Sequence, residues 1–127
     1  MIPEMLTSEL NHLRERGYSV EVVEAEGYIQ VIFHQYGLPA VYTKPSTDLL
    51  VKLPMSYPNG RPDMFWTEVD LGLNGKQLPH QANVIETIMG KQWRRFSWHP
   101  QNWNPGCDTL TTYLEFVNSG LEKAAKQ

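Results

Sequence analysis

The 127-residue chain contains a single cysteine, Cys107. An internal disulfide is therefore excluded, and the composition fits a reducing, cytoplasmic setting. Four histidines (His12, His34, His80 and His99) are dispersed, without a Cys-x-x-Cys or His-Glu-x-x-His spacing, so no metal and no other cofactor is expected. No apolar run approaches the roughly 20 residues of a membrane span. The opening Met1-Ile-Pro-Glu-Met-Leu-Thr-Ser-Glu9 lacks the basic and apolar regions of a secretion signal. Positive charge is also short: 11 Lys and Arg stand against 14 Asp and Glu, net −3, with no basic stripe. A nucleic-acid surface, which needs clustered positive charge, is excluded on that ground. Internal repeats and low-complexity segments are absent.

What is present is ordinary for a soluble globular protein, 41% hydrophobic and 20% charged, and the length predicts one domain over 1–127. Leu6, Leu10 and Leu13 recur at helical spacing, with Pro3 suited to a first turn and Gly17 to a stop, which predicts a helix over 3–16. The period then changes to strand-like runs at Tyr18–Glu24, Tyr28–Tyr36 and Asp48–Leu53, and Met64–Glu68 reads as a short fourth strand. Links this short between strands imply an antiparallel meander. Between the third and fourth strands lies a stretch stiffened by Pro54, Pro58 and Pro62, whose Tyr57-Pro58 and Arg61-Pro62 pairs are turn or extended dipeptides, with Asp63 as a loop anchor. Residues 70–92 carry several turn signals and one short apolar cluster (Val84, Ile85, Ile88, Met89), and read as an irregular flap with at most one helical turn. Leu110, Tyr113, Leu114, Val117 and Leu121 mark one face of a helix over 109–125, with Asp108 placed to cap it. The class is α+β, with the helices packed on a sheet.

Three of the four tryptophans, His99 and Cys107 fall between Trp93 and Asp108. Alternation in Trp93-Arg-Arg-Phe-Ser-Trp-His99 reads as a strand with one buried face, so the tryptophans are core, and Arg94 and Arg95 are a solvated pair or a surface for an acidic partner. A cysteine just before a helix is favoured as a nucleophilic thiolate, while the adjacent Asp108 opposes this; the bland reading is a small apolar filler. His99 is either a backbone-bonded corner residue or a proton carrier at a cleft mouth.

Two motifs carry a resemblance. Tyr57-Pro-Asn-Gly-Arg-Pro-Asp-Met-Phe-Trp-Thr67, and the series Trp93, Arg95, Ser97, His99, Trp103, Pro105, Gly106, Asp108 and Leu110, resemble the ubiquitin-conjugating E2 superfamily, in particular its bacterial branch, prokaryotic E2 family E. The resemblance implies an E2/UBC-like fold: N-terminal helix, four-stranded antiparallel meander, irregular flap, and C-terminal helix packed on the sheet. It also implies a ubiquitin-like protein and an E1-like adenylating enzyme as partners, with an operon-encoded peptidase beside them, and Tyr57, Pro58, Arg61, Arg94, Arg95 and Trp103 as the partner-binding set.

The resemblance leaves the chemistry open. Counted back from the Trp103-Asn-Pro105 motif, the usual thioester cysteine position falls on Arg95. Aligned instead on His99-Pro-Gln101, which resembles the His-Pro-Asn of that superfamily, Cys107 becomes a shifted nucleophile. The first reading leads to an E2-like scaffold that binds the ubiquitin-like protein or the E1 without a thioester. The second leads to an acyl carrier using Cys107 with His99. A small-molecule hydrolase is a third class, for which no nucleophile, base and orienting group can be assembled from the sequence.

Overall fold

The computed structural model describes residues 2–126. Helix α1 (Glu4–Glu15) follows Pro3 and presents Leu6, Leu10 and Leu13 to the core. It stops where the sequence indicates. Gly17 takes φ +100°, its N–H reaches Arg14 O, and the Tyr18 N–H reaches Leu13 O, the paired bonds of a Schellman ending.

Strands β1 (Ser19–Ala25), β2 (Tyr28–Gly37), β3 (Ser46–Pro54) and β4 (Phe65–Thr67) form the expected antiparallel meander. Two more strands, β5 (Val84–Ile88) and β6 (Lys91–Phe96), continue it, giving a six-stranded sheet in the order β1-β2-β3-β4-β6-β5. The expected four-strand count and the irregular flap are corrected here. Residues 84–88 are the outer strand of a hairpin, and no helical turn occurs over 70–92. The apolar cluster Val84, Ile85, Ile88 and Met89 is as compatible with a strand as with a helical turn. The hairpin turn is Met89-Gly90, both at positive φ (52° and 76°), as a two-residue primed turn requires. Methionine is an uncommon residue for that conformation, so the turn carried no sequence signal.

Strand alternation divides the side chains between two faces. Ile29, Val31, Phe33, Leu49, Val51, Leu53, Phe65 and Phe96 join α1 and helix α2 (Leu110–Lys126) in the main core. Tyr36 Oη donates to Asn118 Oδ1 (2.6 Å) and Tyr42 Oη to Leu121 O (2.7 Å), fixing α2 against the sheet. Tyr42 itself makes only an isolated bridge, to Leu73. On the opposite face Leu50, Trp66, Ile88 and Trp93 form a second buried cluster, flanked by Met64 and Met89. Trp93 is thus core, as the alternation predicts, while Trp98 and Trp103 are half-buried at the sheet's end.

Candidate functional site

Two irregular segments meet at that end of the sheet: the loop 55–64 between β3 and β4, and the stretch 97–109 between β6 and α2. Three hydrogen bonds clamp them together. Trp103 Nε1 donates to Pro58 O (2.7 Å), Arg61 Nη1 to Pro100 O (2.8 Å), and His99 Nδ1 lies 2.8 Å from Asp63 Oδ1. The Tyr57-Pro58 peptide is cis, and the Tyr57 ring packs 6.0 Å from that of Trp103. Prolines limit the loop's freedom before folding, so clamping it costs less conformational entropy than a glycine-rich loop would.

Tyr57 is buried, and its hydroxyl donates to Glu9 Oε1 (2.7 Å) on α1. The same oxygen accepts the N–H of Leu110 (2.8 Å), the first residue of α2. One carboxylate therefore joins both helices and the proline-rich loop, serving a helix N-terminus that would otherwise hold unpaired donors. Burial, and then the Glu9 carboxylate, push the Tyr57 hydroxyl well above tyrosine's ordinary value, which keeps it a donor. Glu9 escaped the sequence reading because its partners lie 48 and 101 residues away.

Cys107 sits on a short turn. The N–H groups of Cys107 (3.0 Å) and Asp108 (2.7 Å) both donate to Asn104 O, and Asp108 Oδ2 accepts the Asn104 N–H at 2.7 Å. Asp108 Oδ1 takes the Thr112 hydroxyl (3.2 Å). The cap of α2 is therefore not Asp108 acting alone: Thr109 and Thr112 exchange hydroxyl and N–H bonds, and Asp108 buttresses them while closing the turn. The Cys107 thiol is exposed, which removes the apolar-filler reading. His99 is also exposed, and its recorded partner is Asp63; among the described residues no hydrogen bond joins it to Cys107.

The remaining candidates fall on structural contacts. Arg94 donates from Nε (3.1 Å) and Nη2 (2.7 Å) to Val69 O and from Nη1 (2.8 Å) to Ala82 O, strapping down residues 69–82. Arg95 lies inside β6, where Nη1 pairs with Glu86 Oε2 (3.3 Å) and Nε with Ser97 Oγ (3.0 Å). The position predicted by counting back from Trp103 is thus a strand residue in an ion pair. Pro58 is half-buried, and Arg61 is the exposed cation of the set.

The family model of prokaryotic E2 family E matches residues 5–124, nearly the whole chain, with both clamped loops and most of both helices. The chain belongs to prokaryotic E2 family E. No curated protein and no solved structure gives a match to it. Among the described residues no helix is long and apolar enough to cross a membrane, and no group of three His, Cys, Asp or Glu side chains is placed to hold a metal ion.

Proposed function

We propose that this E2-like domain accepts the activated C-terminus of a ubiquitin-like protein from an E1-like enzyme as a thioester on Cys107. The observation that carries the reading is the exposed thiol on a hydrogen-bonded turn immediately before α2. In the transfer, the Cys107 sulfur forms a C–S bond to the acyl carbon while the bond to the E1 sulfur breaks. The proton lost by Cys107 balances the one gained by the released thiol, and nothing is oxidised or reduced. A neutral His99 that donates from Nδ1–H to Asp63 has Nε2 as an acceptor, the tautomer suited to taking a proton from an incoming nucleophile. An operon-encoded peptidase belongs to this reading as a further partner. Of the partner-binding candidates, Arg61 is the one whose charge is exposed to an approaching protein.

A second reading is a scaffold that binds the ubiquitin-like protein or the E1 without forming a thioester. It is favoured by Arg95 at the usual cysteine position and by the lack, among the described residues, of a hydrogen bond between His99 and Cys107. Incubation with the E1-like enzyme, the ubiquitin-like protein and ATP, followed by a non-reducing gel, separates the two. A thiol-sensitive adduct lost in Cys107→Ala supports the carrier; co-purification without any adduct supports the scaffold.

A further inference from the structure

The sheet face turned away from the helices holds a cavity of ≈ 290 Å³, lined by Tyr28, Lys52, Arg61, Asp63, Trp66 and Glu86 among others. Both of its carboxylates are already engaged. Glu86 accepts the Trp66 indole N–H (2.7 Å) and pairs with Arg95 (3.3 Å), and Asp63 Oδ1 is bonded to His99. Its cations make no ion pair among the described residues. The Lys52 ammonium rests over the rings of Tyr28 (4.3 Å to the centroid) and Trp66 (5.2 Å), with no carboxylate partner among the described residues. Aromatic faces hold a cation without neutralising it, so its N–H groups stay available to an anion. Arg61 spends one donor on Pro100 O, and no further partner is recorded for it among the described residues. The lining holds two cations, Lys52 and Arg61, and two carboxylates, Asp63 and Glu86, and it is the carboxylates whose charge is already met by other groups of the fold.

We propose that this cavity binds a carboxylate, seated between the Lys52 ammonium and the Arg61 guanidinium beside Trp66. A single negative charge can meet both cations, whereas a dianion is repelled more strongly by Asp63 and Glu86 on the same lining. Arginine also matches the planar geometry of a carboxylate. The volume lies at the lower limit of about 300 Å³ for small-molecule sites, which suits one terminal residue or a small organic acid. This inference stands independently of the chemistry at Cys107.

The test follows the Trp66 indole N–H by NMR during titration with N-acetylglycine, with N-acetylglycinamide, and with inorganic phosphate. The expected result is a saturable shift with the acid and none with the amide, weakened by at least about tenfold in Lys52→Met. Arg61→Gln should weaken it as well. A glycine–serine peptide with a free C-terminus distinguishes the sources: tighter binding than N-acetylglycine identifies a chain terminus, and equal or weaker binding identifies a small acid. Equal response to acid and amide, an unchanged response in Lys52→Met, or tighter binding of phosphate would overturn the assignment.

Discussion

Between Ser97 and Trp103 the chain is tied to segments far away: Gln81 through the Ser97 N–H, Asp63 through His99, Arg61 through Pro100, and Pro58 through Trp103. Between Asn104 and Asp108 it is tied almost wholly to itself, by the Asn104 carbonyl and the Asp108 carboxylate. The first stretch is part of the scaffold, and its polar groups are spent on holding two loops in register. The second is a small closed turn that displays a thiol and asks little of the rest of the molecule. The two stretches should therefore respond differently to substitution.

Substitutions can break this contrast in order of size. Trp103→Ala removes the bond to Pro58 and the packing on Tyr57 and Tyr113, and should cost about 3 kcal/mol in urea unfolding. Tyr57→Phe deletes one donor to Glu9 Oε1, while the other oxygen, Oε2, is buried without a partner, so a loss of about 1–2 kcal/mol is expected by the same measurement. Asp108→Ala opens the turn and unseats Thr112; about 1 kcal/mol should be lost, with faster hydrogen exchange confined to the start of α2. Cys107→Ala should shift stability by less than about 0.5 kcal/mol, since the side chain is exposed. If Cys107→Ala proved as costly as Trp103→Ala, the turn would be scaffold too and the contrast would fail.

The smallest effect is expected far from both stretches and serves as a reference. His34 bridges Glu21 (3.0 Å) and Asp48 (3.2 Å) across the sheet. The Glu21 hydrogen bond, opposed by desolvation and helped by Asp48, raises its pKa above the ordinary 6.5. A raised folded-state value means that the protonated bridge stabilises fully below about 6.5 and that the contribution disappears as pH rises through the folded value. The urea midpoint should therefore fall slightly between pH 6 and pH 8, and His34→Gln should flatten that change.

Much of this architecture was legible because local chemistry dictated it. Leu6, Leu10 and Leu13, the Gly17 stop, the alternation in β2, and the face from Leu110 to Leu121 each specify an element from neighbours in sequence. Strand β6 was legible from Trp93 onward, but β5 and its hairpin with β6 were not, because a Met89-Gly90 turn carries no Asn-Gly or Asp-Gly signal and the preceding apolar cluster fits either period. At the site, the sequence singled out His99, Cys107 and the proline-rich loop. It did not show that His99 belongs to Asp63, nor that Glu9 holds the start of α2, since those bonds span 36 and 101 residues. Long-range polar pairing depends on the finished fold and leaves no periodic trace.

The central claim concerns the sulfur of Cys107, and replacing it by oxygen tests that claim most directly. Loaded by the E1-like enzyme with the ubiquitin-like protein and ATP, the natural chain should gain the mass of one acyl chain on the peptide containing Cys107, and reducing agent should release it. Cys107→Ser should trap the same mass as an ester that resists reducing agent. An adduct that maps to any other residue, or that persists unchanged in Cys107→Ala, would contradict the account.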